Sequence, residues 1–271
     1  MLLTKHKTND GSRWAVDEHF LLQGLTLTKL LEMPRGEMLQ ALENASKNEI
    51  ASGDEEAPID SHQEVWAAGV TYLRSRDARK AESTVADMYE KVYEAERPEI
   101  FTKSIGWRVS GPGAPIRIRR DSRWNVPEPE LVLVINCYNE IVGYCAGNDV
   151  SSRDIEGENP LYLPQAKIYN GSCALGHGVL ICEPAAIKDI PIRLDIQRVN
   201  EIVFSGEANT STMKRTLPEL VDYLTRELDF PQGVFLMTGT CLVPDSNFAL
   251  QIDDVVRIQV GEMKIENRVQ S

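Results

Sequence analysis

The acidic residues Glu128 and Glu130 lie two positions apart, directly before the strongly apolar residues 131–135. Pro127 and Pro129 alternate with them, which favours an extended chain and excludes a helix. In an extended chain, positions i and i+2 point to the same face, so the two carboxylates are predicted to lie side by side. Two like charges at one point are unfavourable unless a cation neutralises them, so the pair indicates a cation site.

A third carboxylate, Asp149, follows the next apolar segment, at residues 140–144. If the two apolar segments pair as a hairpin, Asp149 lies beside Glu128 and Glu130. Three oxygen ligands with no histidine or thiolate nearby suit Mg²⁺, Mn²⁺ or Ca²⁺ better than Zn²⁺. Spacing alone also allows a second interpretation, in which these residues are an ordinary acidic strand edge and a loop aspartate.

Residues 125–176 resemble the signature region of the fumarylacetoacetate hydrolase superfamily. The E-x-E motif matches Glu128 to Glu130, the N-D-V-S-x-R-D motif matches Asn148 to Asp154, and the family's lysine matches Lys167. Further segments that match in the family's order are 111–116, 238–240, 254–256 and 267–269. The resemblance spans roughly residues 65–271, and a set of ordered motifs is far more specific than any one of them.

The resemblance implies a role for five residues of this chain. Glu128, Glu130 and Asp149 would bind a divalent metal, commonly Mg²⁺, while Lys167 would point into the same pocket and Thr240 would contact the substrate. A 2-oxo acid can chelate such a metal through its carboxylate and keto oxygens. The cation then stabilises the enolate that forms when a proton leaves C3, and the lysine is suited to move that proton.

One family motif is altered in a way that bears on the reaction. Hydrolases and decarboxylases of the family usually carry G-x-N-Y-x-x-H-x-x-E, whose histidine and glutamate activate water or assist catalysis. In the matching residues 69–78, Ser75 replaces that histidine and Ala78 replaces that glutamate. Residues 156–167 instead resemble the sugar-acid dehydratase branch, which releases water and needs no activated water.

Three functional hypotheses follow, and the first is favoured. It is a metal-dependent dehydratase, a hydro-lyase of carbohydrate catabolism that converts a 2-keto-3-deoxy pentonate to 2,5-dioxopentanoate through an enolate. The alternative is a C–C hydrolase or decarboxylase of an acylpyruvate or oxaloacetate-like 2-oxo acid, against which the missing histidine and glutamate count. The third is a catalytically weak binding protein, against which the metal-ligand motif and Lys167 count.

Further candidate residues are less firmly marked by motifs. Glu99 is the candidate acid or base at the leaving hydroxyl group. Its local sequence fits equally well an ordinary solvated glutamate at the end of a helix. Arg74 and Arg153 are candidates for binding the substrate, because arginine makes bidentate contacts with carboxylates. Arg153 lies inside the family motif and could equally be a structural partner of Asp154 or Glu156.

Composition excludes several functional classes. The formal net charge of −12 argues against nucleic-acid binding, which needs clustered cations. No apolar run is long enough to cross a membrane, and no signal peptide is apparent, so a cytoplasmic location is expected. Five cysteines without C-x-x-C spacing are predicted to be free, mostly buried thiols.

The predicted fold is α+β, with a small N-terminal domain at residues 1–60 and a catalytic domain at residues 61–271. Residues 25–45 have helical spacing interrupted at Pro34, and residues 76–96 read as a long polar helix. The later predicted elements are a strand at 116–119, hairpins at 131–144 and 192–205, a helix at 217–228 capped by Thr216, and a closing strand at 255–260. The resemblance adds the family's mixed β-roll, a 2-oxo acid as the small-molecule partner, and a homodimer.

Overall fold

The structure is a computed structural model that describes residues 1–45, 49–73 and 86–271. The strands in the first half of the chain are β1 (Leu2–Thr8), β2 (Gly11–Val16), β3 (His19–Phe20), β4 (Asp54–Glu56), β5 (Glu64–Gly69), β6 (Glu99–Ile105), β7 (Ile116–Arg117) and β8 (Asn125–Val126). They are followed by β9 (Pro129–Ile135), β10 (Ile141–Asp149), β11 (Ser151–Ser152), β12 (Cys173–Leu175), β13 (Val179–Ile181), β14 (Pro191–Arg198), β15 (Glu201–Asn209), β16 (Val234–Thr240), β17 (Val255–Val260) and β18 (Met263–Gln270). The α-helices are α1 (Leu27–Leu31), α2 (Arg35–Glu43), α3 (Ala86–Glu94), α4 (Arg153–Glu158), α5 (Leu163–Lys167) and α6 (Leu217–Thr225).

An 11-stranded mixed sheet forms the main layer, with the strand order β3-β2-β1-β13-β10-β9-β16-β5-β6 and with β12 and β4 attached to β10 and β1. The antiparallel hairpin of β9 and β10 lies at its centre and is buried along its whole length. Both strands are rich in apolar residues because both faces of a central strand are covered. The predicted hairpin at residues 131–144 is therefore confirmed.

A second sheet has the order β15-β14-β17-β18-β7 and packs on one face of the first. Inward side chains of β14 and β17, such as Leu194 and Ile258, share a core with Leu131 and Leu133 of β9. The predicted hairpin at residues 192–205 corresponds to β14 and β15, and it too is confirmed. These two sheets and their flanking helices make up a mixed α+β fold.

The expectation that residues 255–260 close the chain as its last strand is wrong. The chain turns at Gly261, whose φ is +57°, and continues into β18, which pairs antiparallel with β17. Along β18, buried and exposed residues alternate from Met263 to Gln270. That alternation is the ordinary signature of a half-buried strand, so the sequence did carry the signal.

The first sixty residues are joined to the main sheet by hydrogen bonds. Strand β1 pairs antiparallel with β13, with Leu2 opposite Leu180. The buried Leu3 and Leu30 belong to the same apolar cluster as Val132 of β9. The division of the chain at residue 60 stays a prediction.

The helix predictions have mixed outcomes within the described residues. Helices α1 and α2 lie on either side of Pro34, as the interruption predicts. Thr216 caps α6 and forms a capping box with Glu219, but α6 ends at Thr225 rather than Leu228. Helix α3 falls inside the predicted helix at 76–96, of which residues 76–85 lie outside the described residues. None of the described helices is long and apolar enough to cross a membrane.

All five cysteines are free, as predicted from their spacing. Cys145, Cys173 and Cys241 are buried, whereas Cys137 and Cys182 are half-buried. Burial raises the pKa of the Cys173 thiol to about 12, so this thiol is protonated and unreactive at neutral pH.

Candidate metal centre

The three predicted metal ligands meet at the open end of the β9–β10 hairpin. Glu128 directly precedes β9, Glu130 lies within it, and Asp149 is the last residue of β10. The backbone N–H of Asp149 donates to the carbonyl oxygen of Glu128 at 2.9 Å. All three side chains are buried, and one oxygen atom from each lies within 4.8 Å of the other two. This donor set of three carboxylates fits a divalent cation such as Mg²⁺.

The surroundings of Glu130 disfavour its ionised form when no cation is bound. Complete burial raises the pKa of Glu130 well above its ordinary value, and the negative charges of Asp149 and Glu128 raise it further. Lys167 and the backbone N–H of Gly239 act in the opposite direction and lower it. A bound divalent cation would stabilise the ionised carboxylate that burial and its neighbours disfavour.

Gly239 supplies the backbone donor at Glu130 through an unusual conformation. It lies in an irregularity of the β16–β9 pairing between Met237 and Thr240, with a φ of +96°. Its N–H donates to Oε2 of Glu130 at 2.6 Å. A Cβ atom at this position would lie 2.0 Å from Oγ1 of Thr71, so both space and backbone conformation require glycine here.

Lys167 ends helix α5 with its amino group inside the carboxylate cluster. Its Nζ donates to Oε2 of Glu128 at 2.6 Å, to Oδ2 of Asp149 at 2.9 Å and to Oγ of Ser151 at 2.6 Å. The side chain is buried, so these contacts are poorly screened by solvent. The predicted proximity of this lysine to the metal ligands is present in the structure.

Arg153 also contacts a predicted ligand rather than open solvent. It is buried at the start of α4, and its Nη2 donates to Oε1 of Glu128 at 2.7 Å. This partner is not one of the two predicted from the sequence. Asp154, which is one of them, accepts hydrogen bonds from Oγ of Ser122 and the N–H of Arg123. A direct contact between Arg153 and substrate stays a prediction.

A second lysine at the site, Lys103 of β6, was missed by sequence reasoning. Its fully buried Nζ lies 2.5 Å from Oδ1 of Asp149 and donates to the carbonyl oxygens of Val150, at 3.1 Å, and Lys167, at 2.5 Å. It is not one of the residues that line the cavity between Glu128, Glu130 and Asp149. Its position four residues after Glu99 would place both on one face of a regular strand, but the pairing of β6 with β5 is irregular at Lys103.

Replacing Lys103 by methionine is expected to destabilise the protein by about 3 kcal/mol. The substitution leaves the buried carboxylate of Asp149 without the ammonium group beside it and removes the hydrogen bonds to the carbonyl oxygens of Val150 and Lys167. Breaking a buried ion pair in this way is strongly unfavourable. Urea unfolding in the presence of EDTA measures the change without a contribution from metal binding. Lys188→Met, at an exposed lysine, is the matched control and should change stability by less than about 0.5 kcal/mol. Equal stability of the two variants would contradict the prediction.

The remaining predicted residues differ in where the structure places them. Glu99 of β6 lines the same cavity as the three ligands, close to Gly69, where a Cβ atom would lie 2.0 Å from its Oε2. Thr240 also lines it, and its Oγ1 accepts from the N–H of Leu242 and donates to the carbonyl oxygen of that residue. Arg74 lies outside the described residues.

The cavity enclosed by these groups has a volume of about 20 Å³, which suits an ion or a single water molecule. Its wall includes one further acidic residue, Glu156 of α4, for which the sequence predicts only a structural pairing with Arg153.

Comparison with known proteins places this arrangement in context. The family model "Fumarylacetoacetate (FAA) hydrolase C-terminal" matches residues 64–270. The "Probable 2-keto-3-deoxyxylonate dehydratase" of Haloferax volcanii is 48% identical over 206 residues, which cover 75% of this chain and 70% of that protein. The "2-dehydro-3-deoxy-D-arabinonate dehydratase" of Saccharolobus solfataricus is 37% identical, over 90% of this chain and 88% of its own length.

Solved structures give the same fold over the whole chain. One of them, described as "2-keto-3-deoxy-D-arabinonate dehydratase complexed with magnesium and 2,5-dioxopentanoate", has a TM-score of 0.84 and 32% sequence identity. The match covers 100% of this chain and 99% of that chain. The N-terminal sixty residues, which the family model does not match, are therefore included in the structural similarity.

Proposed function

Because this chain belongs to the fumarylacetoacetate hydrolase family, we propose that its carboxylate site is that of a metal-dependent hydro-lyase acting on a 2-keto-3-deoxy pentonate. The product is 2,5-dioxopentanoate. The observation that carries the proposal is the full-length similarity to a dehydratase that has magnesium and this product bound. Two relatives more than a third identical to this chain are also named as dehydratases of such sugar acids.

Glu128, Glu130 and Asp149 are the residues that would hold the metal. Mg²⁺, when bound, supplies a Lewis acid that stabilises negative charge on the keto oxygen of the substrate. The protein's own contribution is a rigid set of buried oxygen donors, fixed by the β9–β10 hairpin and by the N–H of Gly239. Such preorganisation matters because the donors need not rearrange as charge develops.

Lys167 is assigned the role of removing a proton from C3 of the substrate. In its neutral form, its Nζ accepts that proton, and the electron pair of the C3–H bond moves into an enolate. In the structure this Nζ donates to Glu128 and Asp149, two of the predicted metal ligands. The ammonium group and a divalent cation would therefore compete for the same carboxylates.

Glu99 is assigned the role of protonating the hydroxyl group that leaves from C4. As the enolate collapses, a C3–C4 double bond forms and the C4–O bond breaks, and the carboxylic acid form of Glu99 gives the oxygen its second proton, so that water leaves. Transfer of one proton from C5 to C3 then gives an enol with a C4–C5 double bond, and movement of the C5 hydroxyl proton to C4 converts this enol to 2,5-dioxopentanoate. The position of Glu99 in the cavity wall beside Gly69 supports this assignment.

The altered family motif at residues 69–78 agrees with this reaction. Dehydration releases water, so it does not need the histidine and glutamate that Ser75 and Ala78 replace. Both positions lie outside the described residues, so this support comes from the sequence alone. The remaining proposals are a homodimer and a cytoplasmic location, which the family resemblance and the sequence composition support.

The test is an assay of purified protein with Mg²⁺, and separately with EDTA, against 2-keto-3-deoxypentonate. Metal-dependent formation of 2,5-dioxopentanoate is expected, with no reaction in EDTA. Acetylpyruvate and oxaloacetate are assayed in parallel under the same conditions. Cleavage of either of these, with the sugar acid unchanged, would replace the dehydratase by a hydrolase or decarboxylase.

A further inference from the structure

Glu156 is a buried acidic residue in the wall of the metal-site cavity. It lies in α4, three residues after Arg153, and its side chain is only 4% exposed. Glu158, two residues later in the same helix, is exposed. The two glutamates thus differ in their surroundings although they share a short helix, and only the first lines the cavity.

Glu156 is not a member of the carboxylate cluster that would hold the metal. Among the described residues, the cluster whose oxygen atoms lie within 4.8 Å of one another comprises Glu128, Glu130 and Asp149. A 2-oxo acid that chelates a metal there uses its carboxylate and keto oxygens. The rest of its carbon chain must then lie towards the cavity wall, to which Glu156 contributes.

The chemistry of this wall favours a hydroxylated ligand. A buried carboxylate in the cavity wall can accept a hydrogen bond from a ligand that carries a hydroxyl group. The hydroxyl groups on C4 and C5 of a 2-keto-3-deoxy pentonate are such donors. A 2-oxo acid with a hydrocarbon chain offers none, so a carboxylate at this position stabilises the complex with the hydroxylated acid alone.

We propose that Glu156 is a specificity-determining residue that accepts a hydrogen bond from a chain hydroxyl group of the substrate. The inference rests on the proposed function for the identity of the sugar acid. It adds a role for a residue outside the predicted metal ligands and outside the pair Lys167 and Glu99. It also gives a reason for a carboxylate, rather than an apolar residue, in this part of the wall.

The test compares two ligands that differ only in their hydroxyl groups. These are 2-keto-3-deoxypentonate, measured by kcat/KM, and 2-oxopentanoate, measured as a competitive inhibitor of the same reaction. Glu156→Gln removes the charge with little change of shape, and Glu156→Met removes the hydrogen-bond acceptor as well. Glu158→Gln is the matched control in the same helix.

We expect kcat/KM for the sugar acid to fall about tenfold in the glutamine variant and about 100-fold in the methionine variant. The inhibition constant of 2-oxopentanoate and the Mg²⁺ dissociation constant should each stay within about threefold of the wild-type values. The control variant should match the wild type throughout. Equal losses for both ligands, or no loss for either, would overturn the proposal.

Failure of this inference can be distinguished from failure of the proposed function. If the wild-type protein does not dehydrate the sugar acid, calorimetry on the Mg²⁺-loaded protein still compares the binding of the two ligands. A preference for the hydroxylated ligand that is lost in Glu156→Met would then support the role of Glu156 without the dehydratase reaction. Absence of that preference in the wild type would overturn it.

Discussion

Glu130→Gln is expected to lower kcat/KM for 2-keto-3-deoxypentonate by about 1,000-fold and to weaken Mg²⁺ binding by at least about 100-fold. Glutamine keeps the shape of the side chain and can still accept a hydrogen bond from Gly239. It removes one of three charged ligands from a buried site in which no described histidine or thiolate belongs to the ligand cluster. Calorimetric titration with Mg²⁺ and steady-state kinetics measure the two effects separately.

The same substitution should increase the stability of the metal-free protein, although it lowers activity and Mg²⁺ binding. Burial and neighbouring charges raise the folded-state pKa of Glu130, so ionisation of this group opposes folding. Its favourable contribution is complete below the ordinary carboxyl pKa and is lost as the pH rises through the raised value. In EDTA at pH 8, Glu130→Gln should therefore be more stable than the wild type. Glu262→Gln, at an exposed position in the β17–β18 turn, should change neither stability nor activity.

These paired readouts distinguish a metal ligand from a structural residue. Loss of activity together with loss of stability would mean that Glu130 mainly supports the fold. Unchanged Mg²⁺ affinity would show that the metal binds elsewhere, and would remove the basis for assigning Glu128 and Asp149 as ligands. Only loss of metal binding with retained or increased stability fits the site described above.

The ligand cluster could be predicted because local pairing alone creates it. The i, i+2 spacing places Glu128 and Glu130 on one face, and a hairpin between neighbouring apolar segments brings Asp149 beside them. Each step depends on residues within about twenty positions. The family motif then identified Lys167, which a reading of spacing would have assigned to the surface.

Other parts of the site depend on contacts between distant strands. Lys103 contacts Asp149 although β9, β16 and β5 lie between β6 and β10 in the sheet, and the sequence pattern shows neither this order nor the approach of the two side chains. Strand β18 is different, because its alternation was visible and was overlooked. The burial of Glu156 was hidden for another reason: short helices such as α4 have too few turns to give a clear apolar face.

Lys167→Met is expected to lower kcat/KM by about 1,000-fold, because removal of a positioned proton-transfer group has an effect of this order. Mg²⁺ binding should be retained or tightened, since the ammonium group competes with the cation for Glu128 and Asp149. Retained or tighter Mg²⁺ binding in Lys167→Met, against weaker Mg²⁺ binding in Glu130→Gln, would distinguish the lysine from the metal ligands. Lys264→Met, at an exposed lysine in β18, is the control and should leave both quantities unchanged.

Lys167→Arg tests whether proton transfer or positive charge is the essential property. Arginine keeps the charge but stays protonated at neutral pH, so it cannot accept the C3 proton. In D₂O with Mg²⁺, the wild-type protein should exchange the C3 protons of 2-oxopentanoate for deuterium, as NMR would show, and neither Lys167 variant should do so. Exchange that persists in Lys167→Met would assign the C3 proton to another group in the cavity, and Glu99 would then be the first residue to substitute.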